Sequence, residues 1–262
     1  MRLLAAILSL TAATHSSAQT SSGNIAAPSP TATVTAADIE SVSPALNNYI
    51  AATINGDLWK RPELSPRDRS IVVLAILIST NQAVELKHHL RFAMDNGVTP
   101  KEISEIITHL AFYSGVGKAT AAVVLAKEAF AERGIGPDQI PPEKPHLLPL
   151  NQEAESARVK TVAENVGPVS PGLEKFTTDL LFTDLWLRPD LAPRDRSLVT
   201  VSALIANGQV GQVGFHLNKA ADGGLTKEQA GEVVLQAAFY GGWPNAFSAV
   251  PVVGEVFKNR KS

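Results

Sequence analysis

The sequence predicts an all-α protein made of two tandem copies of one helical unit. The phrase LWKRPELSPRDRS at residues 58–70 returns as LWLRPDLAPRDRS at 185–197, with ten of the thirteen positions identical. The same offset of 127 residues relates Ala-Phe-Tyr at 111–113 to Ala-Phe-Tyr at 238–240, without any gap. Apolar residues inside each copy recur mainly at helical spacing, and no convincing pair of strands is seen. A period this long exceeds the roughly 20–50 residues of solenoid units, so a domain-sized duplication is predicted.

The N-terminal segments predict export. Residues 1–18 combine a basic start, a short apolar stretch and small residues, which is typical of a signal peptide cleaved after Ala18. The expected location is therefore periplasmic or secreted. A membrane-anchoring N-terminus is the alternative, although the apolar run is shorter than the ~20 residues of a spanning helix. Residues 19–38 are rich in Ser, Thr, Ala and Pro and predict a flexible leader.

The remaining chain divides into two repeats and a connection. A proline-rich stretch at 135–150 predicts a linker between the two copies. The extent of the duplication then places the first repeat at 39–134 and the second at 151–258. No later segment is apolar enough to span a membrane, so the mature protein is expected to lack a membrane partner.

The composition excludes several classes of function. There is no cysteine, which excludes disulfides, thiolate metal sites and thiol redox chemistry. The formal net charge is −2 and no basic stripe is present, so nucleic acid is not an expected partner.

Each helix of the first repeat has its own signals. Ser65 and Pro66 predict an N-cap and a first helical residue for a helix over 67–80, whose apolar run indicates burial on all sides. The next helix is predicted over 82–96, with Gly97 as its C-terminal stop.

The second half of the repeat begins with a capping box. Thr99 and Glu102 have the spacing that satisfies two free backbone amides at a helix start. The helix that follows carries Ile103, Ile106 and Leu110 at spacings of three and four, which predicts one buried face. A last helix is predicted over about 118–133.

These motifs in combination resemble the carboxymuconolactone decarboxylase family. The resemblance rests on the LW-x-RP-x-L-x-x-R-x-RS opening, the E-L-x-x-H helix, the NG-x-TP-x-EI turn and the HLA-x-Y-x-G helix, and covers about 58–130 and 185–257. It implies an AhpD-like helical bundle in which the two repeats form a pseudo-dimer. It also implies further assembly into a homo-oligomer, with a trimer as the expected form.

The AhpD branch of this superfamily works with a Cys-x-x-Cys pair near a histidine. The positions seven and four residues before His89 hold Gln82 and Glu85, so a thiol peroxidase is excluded. The decarboxylase branch instead has Glu four residues before His, and Glu85 and His89 match that pattern. A separation of four residues places both side chains on one helical face. A carboxylate there is expected to raise the pKa of the imidazole and to fix its tautomer.

The resemblance therefore implies catalytic roles for Glu85 and His89. The alternative is a solvated surface pair that contributes only a few tenths of a kcal/mol. In the second repeat His216 remains but Gln212 replaces the carboxylate, which predicts that the first repeat organises the active site and that the second is degenerate or supportive.

Five further residues are candidates for substrate binding: Arg67, Arg69, His109, Tyr113 and His216. The guanidinium groups suit bidentate recognition of a carboxylate. The alternative for the arginines is a set of salt bridges with the intervening aspartates, within or between repeats. For His109 and Tyr113 the alternative is packing in the core or an interface.

The predicted activity needs no cofactor and no metal. Glu85 and His88 spell the Glu-x-x-His of di-iron bundles, but Gln212 and Phe215 stand at the equivalent positions of the second repeat. The resemblance implies a cofactor-free decarboxylase or related proton-transfer enzyme acting on a small carboxylated lactone. The alternative is an exported, non-catalytic binding or assembly protein on the same fold.

Overall fold

The computed structural model describes residues 34–260 of the 262-residue chain. The predicted signal peptide at 1–18 and nearly all of the predicted leader at 19–38 lie outside these residues. Within 34–260 the regular secondary structure is helical, and no strand occurs there. The predicted all-α class is confirmed.

Within the described residues each repeat contains six α-helices, of which the last five occupy equivalent positions. The first has α1 (Ala36–Val42), α2 (Pro44–Asn48), α3 (Pro66–Ser79), α4 (Ala83–Asp95), α5 (Pro100–Tyr113) and α6 (Val116–Glu132). The second has α7 (Gln152–Asn165), α8 (Pro171–Phe176), α9 (Pro193–Ala206), α10 (Val210–Asp222), α11 (Lys227–Gly241) and α12 (Trp243–Asn259). Single 3-10 or π-helical turns lie at Tyr49–Ile54, Leu58–Lys60, Pro137–Gln139, Thr177–Phe182 and Leu185–Leu187. The four long helices α3–α6 match α9–α12 at the offset of 127, as the duplication predicts.

The predicted helix ends are confirmed by their hydrogen bonds. The Ser65 side chain accepts from the backbone N–H of Asp68 at the start of α3. Thr99 and Glu102 form a complete capping box at the start of α5. Gly97 follows α4 with φ of 89°, a left-handed conformation that glycine adopts without a steric penalty.

The central helices α3 and α9 form the core of the molecule. They pack against each other, and each is also covered by a helix of the opposite repeat, α11 on α3 and α5 on α9. This explains the long apolar run of α3, because residues such as Leu74 and Ile76 are fully buried between helices from both repeats. Burying one such side chain stabilises the fold by roughly 1.5–3 kcal/mol.

Buried ion pairs join the two repeats. The Arg69 guanidinium lies fully buried and donates to Glu232 across 2.7 Å, and Arg61 also donates to Glu232, at 2.9 Å. Burial opposes ionisation of Glu232, but the hydrogen bonds from both arginines outweigh it and lower its pKa. The equivalent pair, Arg196 and Glu105, is also buried, with 3.0 Å between its atoms. Each repeat therefore supplies an arginine to the other's carboxylate.

A second reciprocal exchange lies at the starts of α3 and α9. Arg67 donates to Asp195 across 2.8 Å, and Arg194 donates to Asp68 across 2.7 Å. Arg67 also donates to Glu102 of the capping box. Inter-repeat salt bridges, one of the two interpretations of the Arg-Asp-Arg segments, are thus confirmed.

The linker joins the first repeat to the second. Residues 140–151 carry no regular structure, and the Leu148 N–H donates to the Leu187 carbonyl across 2.7 Å. The helix α7 then follows directly. Across 34–260, every helix is too short or too polar to traverse a lipid bilayer.

The buried ion pairs generate a stability prediction. Removing one partner leaves an uncompensated buried charge, so Glu232→Ala and Glu105→Ala should each lower the free energy of unfolding by about 3–5 kcal/mol, measured by urea denaturation. Glu164→Ala removes an exposed carboxylate 4.0 Å from Lys160 and serves as the matched control, with an unchanged midpoint. Equal midpoints for all three variants would contradict the prediction.

Candidate active site

His89 and His216 each lie where the two repeats meet. His89 on α4 faces Trp59 of its own repeat and Tyr240 of the other, with ring centroids 6.0 and 5.2 Å from the imidazole. The Trp59 Nε1–H donates to the Tyr240 hydroxyl across 3.0 Å. We call His89, Trp59 and Tyr240 the first site.

The second site repeats this arrangement with the roles of the repeats exchanged. It consists of His216 on α10, Trp186 and Tyr113, and Trp186 donates to the Tyr113 hydroxyl across 2.9 Å. The imidazole lies 5.5 Å from the Trp186 ring and 5.3 Å from the Tyr113 ring. Tyr113, predicted from the sequence as a substrate-binding residue, therefore lies on a helix of the first repeat but faces His216 of the second.

Both imidazoles are held in their neutral form. His89 and His216 are each only 6% exposed. Burial lowers the pKa of His89 to about 3, with a further contribution from the nearby charge of His88. Burial likewise lowers the pKa of His216 to about 4, assisted by Lys219. The expectation that a carboxylate raises the pKa of His89 is wrong in direction.

The position of Glu85 explains this correction. It lies on the same helix four residues before His89, but its side chain is exposed, whereas the imidazole is turned into the aromatic cluster. No hydrogen bond links the two side chains among those of residues 34–260. The charge of Glu85 acts instead on Tyr240. Burial raises the pKa of Tyr240 to about 12, and the charge of Glu85 contributes to a smaller extent.

The remaining predicted residues lie behind the two sites. Arg69 is fully buried, and its hydrogen bonds go to the Glu232 carboxylate and to neighbouring polar groups. Arg67 is engaged by the carboxylates at the repeat boundary. Their proposed role as a substrate clamp is not supported by these contacts, since the guanidinium donors already serve the interface.

His109 acts as a support for the second site. It is fully buried, its Nε2 lies 2.7 Å from the Thr200 hydroxyl, and its ring stacks on Tyr113 at 4.7 Å. Burial, with the charge of Arg196, keeps its pKa well below the usual range. Packing at the interface, the alternative interpretation of this residue, describes its position.

A cavity of about 1140 Å³ adjoins the second site. Tyr113, Trp186 and His216 line its floor, and residues 148–162 of the linker and α7 line the opposite wall. Sequence reasoning missed this wall, because α7 has little apolar periodicity and its role depends on where the linker places it. The equivalent positions of the first repeat fall at residues 21–35, nearly all outside the described part of the chain.

The described residues offer no ready metal site. Between 34 and 260, no group of three or more His, Asp or Glu side chains converges as metal ligands do. Each site instead offers the ring nitrogens of its histidine and the hydroxyl of its tyrosine, His89 with Tyr240 and His216 with Tyr113. Such groups can exchange protons and hold a polarised oxygen.

Comparison with known sequences agrees with this arrangement of two equivalent sites. The profile of the carboxymuconolactone decarboxylase family matches residues 44–128 and again 171–255. The chain belongs to this family. Both matches contain the helix that carries the histidine, and they are separated by the same offset of 127 residues.

Two named proteins are similar to parts of this chain. The 4-carboxymuconolactone decarboxylase of Acinetobacter baylyi is 38% identical over 93 residues, which are 36% of this chain and 69% of that protein. Nitrosuccinic acid decarboxylase npaB of Metarhizium robertsii is 36% identical over 73 residues, 28% of this chain and 51% of that protein. This member of the carboxymuconolactone decarboxylase family thus spans only about half the length of the second relative.

The depressed histidine pKa values generate a prediction about pH. The unfolded chain binds protons at its histidines near pH 6.5, while folded His89 and His216 stay neutral until about pH 3 and 4. Stability should therefore fall as pH drops from 6.5 toward 4, by roughly 2–3 kcal/mol for each histidine. His89→Gln and His216→Gln should each flatten this dependence in urea denaturation at a series of pH values. An unchanged slope in both variants would show that neither imidazole is held neutral.

Proposed function

We propose that the protein is a cofactor-free decarboxylase, or a related proton-transfer enzyme, acting on a small carboxylated lactone or a similar compound. The observation that carries the proposal is a buried, uncharged imidazole held between a tryptophan and a tyrosine of the opposite repeat. Membership of the family and two relatives named as decarboxylases support a lyase-type reaction in general.

The reaction replaces a carboxylate by a hydrogen atom. The bond between the carboxylate and the ring carbon breaks, carbon dioxide leaves, and the electron pair moves into a conjugated carbonyl. The resulting enolate then takes one proton on carbon, and that proton comes ultimately from solvent. The protein must therefore stabilise the charge on the carbonyl oxygen and deliver a proton to the correct carbon.

The tyrosine is suited to stabilising the enolate oxygen. The Tyr240 hydroxyl accepts a hydrogen bond from Trp59, which fixes the oxygen and leaves its own proton available. Burial raises the pKa of Tyr240, so the hydroxyl stays protonated at neutral pH. A donor fixed in this way in a poorly solvated site stabilises developing negative charge better than water does.

We assign the proton delivery to His89. The neutral ring gains a proton when an anionic substrate lies beside it, because an opposite charge raises the pKa of a buried imidazole. Glu85 lies exposed four residues before His89 on α4, and we assign it the transfer of a proton from solvent toward the ring. This role replaces the direct Glu85–His89 pairing expected from the sequence.

The assignment of His89 and Glu85 is tested by substitution. His89→Ala should lower kcat/KM on 4-carboxymuconolactone or a related carboxylated lactone by about 10²–10⁴-fold, and Glu85→Gln by a smaller factor, because each removes part of the proton path. His146→Ala is the matched control, since it removes an exposed imidazole from the linker.

Each outcome of that experiment decides between the candidates. Wild-type rates in both His89→Ala and Glu85→Gln would remove their proposed roles. Absence of turnover in the wild-type protein at every pH, across a panel of lactone acids, would favour the non-catalytic binding protein. In the second repeat Gln212 replaces the carboxylate, and this replacement supports the non-catalytic candidate.

We also propose that the chain assembles into a homo-oligomer. The outer faces of α6 and α12 expose apolar side chains at equivalent positions, Val116 with Trp243 and Val123 with Val250. Phe247 on α12 is 67% exposed as well. Apolar surface grouped in this way is typical of contacts between protein chains.

This surface gives a prediction about mass. The wild-type protein should sediment as an oligomer, with a trimer of the 27.7 kDa chain as the expected form, and Phe247→Lys should shift the population toward monomer. Val169→Lys alters an apolar residue that is 86% exposed outside α12 and should leave the mass unchanged. A monomeric wild-type protein at micromolar concentration would sink the proposal.

A further inference from the structure

We propose that the cavity beside the second site is a separate binding site for a small organic carboxylate with a flat apolar body. Its carboxylate is held by Lys219 and its apolar part lies against Trp186 and the wall formed by α7. The site binds this anion without turning it over. The proposal stands independently of decarboxylation at the first site.

Lys219 brings a positive charge to a cavity whose lining also includes the carboxylates of Glu155 and Asp222. It lies one helical turn beyond His216 on α10, with its Nζ 5.1 Å from the centre of the Trp186 ring. Within 34–260 it forms no salt bridge. The carboxylates nearest to it are already engaged, Glu155 by Arg158 and Asp222 by Arg260.

Two buried polar atoms of the cavity lining lack partners. They are Nδ1 of His216 and Nη1 of Arg158, neither of which has a hydrogen bond among the described residues. A buried polar group without a partner is unfavourable, so a ligand that offers an acceptor here would complete it. Both can donate to an oxygen, which is what a carboxylate offers.

The rest of the lining suits an apolar, flat molecule. Leu148, Leu181, Phe182 and Phe215 surround the opening between α10 and α7. The Arg158 guanidinium itself stacks 4.4 Å above the Phe182 ring, which holds it beside the cavity. Ligand sites commonly measure about 300–1,000 Å³ and combine apolar walls with a few convergent polar groups, as here.

The two sites differ in charge at the positions that matter. Phe92 stands in the first repeat where Lys219 stands in the second, and Glu85 stands where Gln212 does. At these two positions the first site therefore has a carboxylate and no lysine, and the second has a lysine and no carboxylate. The exchange of Glu for Gln, which by itself indicates degeneration, removes a repulsion and favours an anion.

This difference divides the work of the two sites. A lysine stabilises a carboxylate in its ground state, which tightens binding but does not help that carboxylate to leave as carbon dioxide. The first site has Phe92 at the position of Lys219 and therefore lacks this stabilisation of the ground state by a lysine. We therefore infer turnover at the first site and retention of the anion at the second.

The test is direct binding of 2-naphthoate to the full-length protein by isothermal titration calorimetry. Lys219→Met should weaken 2-naphthoate binding at least tenfold, and Gln212→Glu should weaken it as well by restoring the carboxylate of the first site. Lys87→Met makes the same change on α4, where Lys87 pairs with Glu128, and should stay within twofold of wild type. The uncharged 2-naphthamide should bind more weakly than 2-naphthoate and should not respond to Lys219→Met.

The outcomes separate this proposal from the proposed activity. Binding that survives in His89→Ala and is lost in Lys219→Met supports the second site, whether or not any substrate is turned over. Equal effects of Lys219→Met and Lys87→Met, or equal affinity for the acid and the amide, overturn it. Because Gln212 is exposed, Gln212→Glu remains informative even if Lys219→Met does not fold.

Discussion

The whole molecule depends on the buried arginine–carboxylate pairs between its two repeats. Arg69 with Glu232 and Arg196 with Glu105 form ion pairs in the core, where each group is tolerated only in the presence of its partner from the other repeat. This requirement fixes one relative position of the repeats. In addition, neither repeat can close its own core, because α3 and α9 are apolar on all sides and need the opposite repeat to cover them.

The fixed position creates the sites. The tyrosine at the end of α5 or α11 reaches the histidine of the other repeat, so neither imidazole has a complete environment within one copy of the motif. Burial by the second repeat is also what keeps both rings neutral. A change in the interface therefore alters the chemistry at two places, even though the arginines touch neither site.

Duplication within one chain allows the two sites to diverge. In an assembly of identical chains any substitution appears in both sites, whereas here Lys219 and Phe92 occupy equivalent positions with opposite consequences for an anion. The second site also has Gln212 where the first has Glu85. Such a pair of sites can separate the binding of a carboxylate from its removal.

The sequence by itself determined the duplication, the helices and their caps, because these follow from local spacing and from hydrogen bonds between near neighbours such as Thr99 and Glu102. It also identified His89 and His216 from their place in the motif. Only the tertiary structure decided that Tyr113 belongs with His216, that Arg69 serves the interface, and that burial lowers the pKa of His89. These depend on residues far apart in the chain, and desolvation is a property of everything that surrounds a group, which no spacing along the sequence encodes.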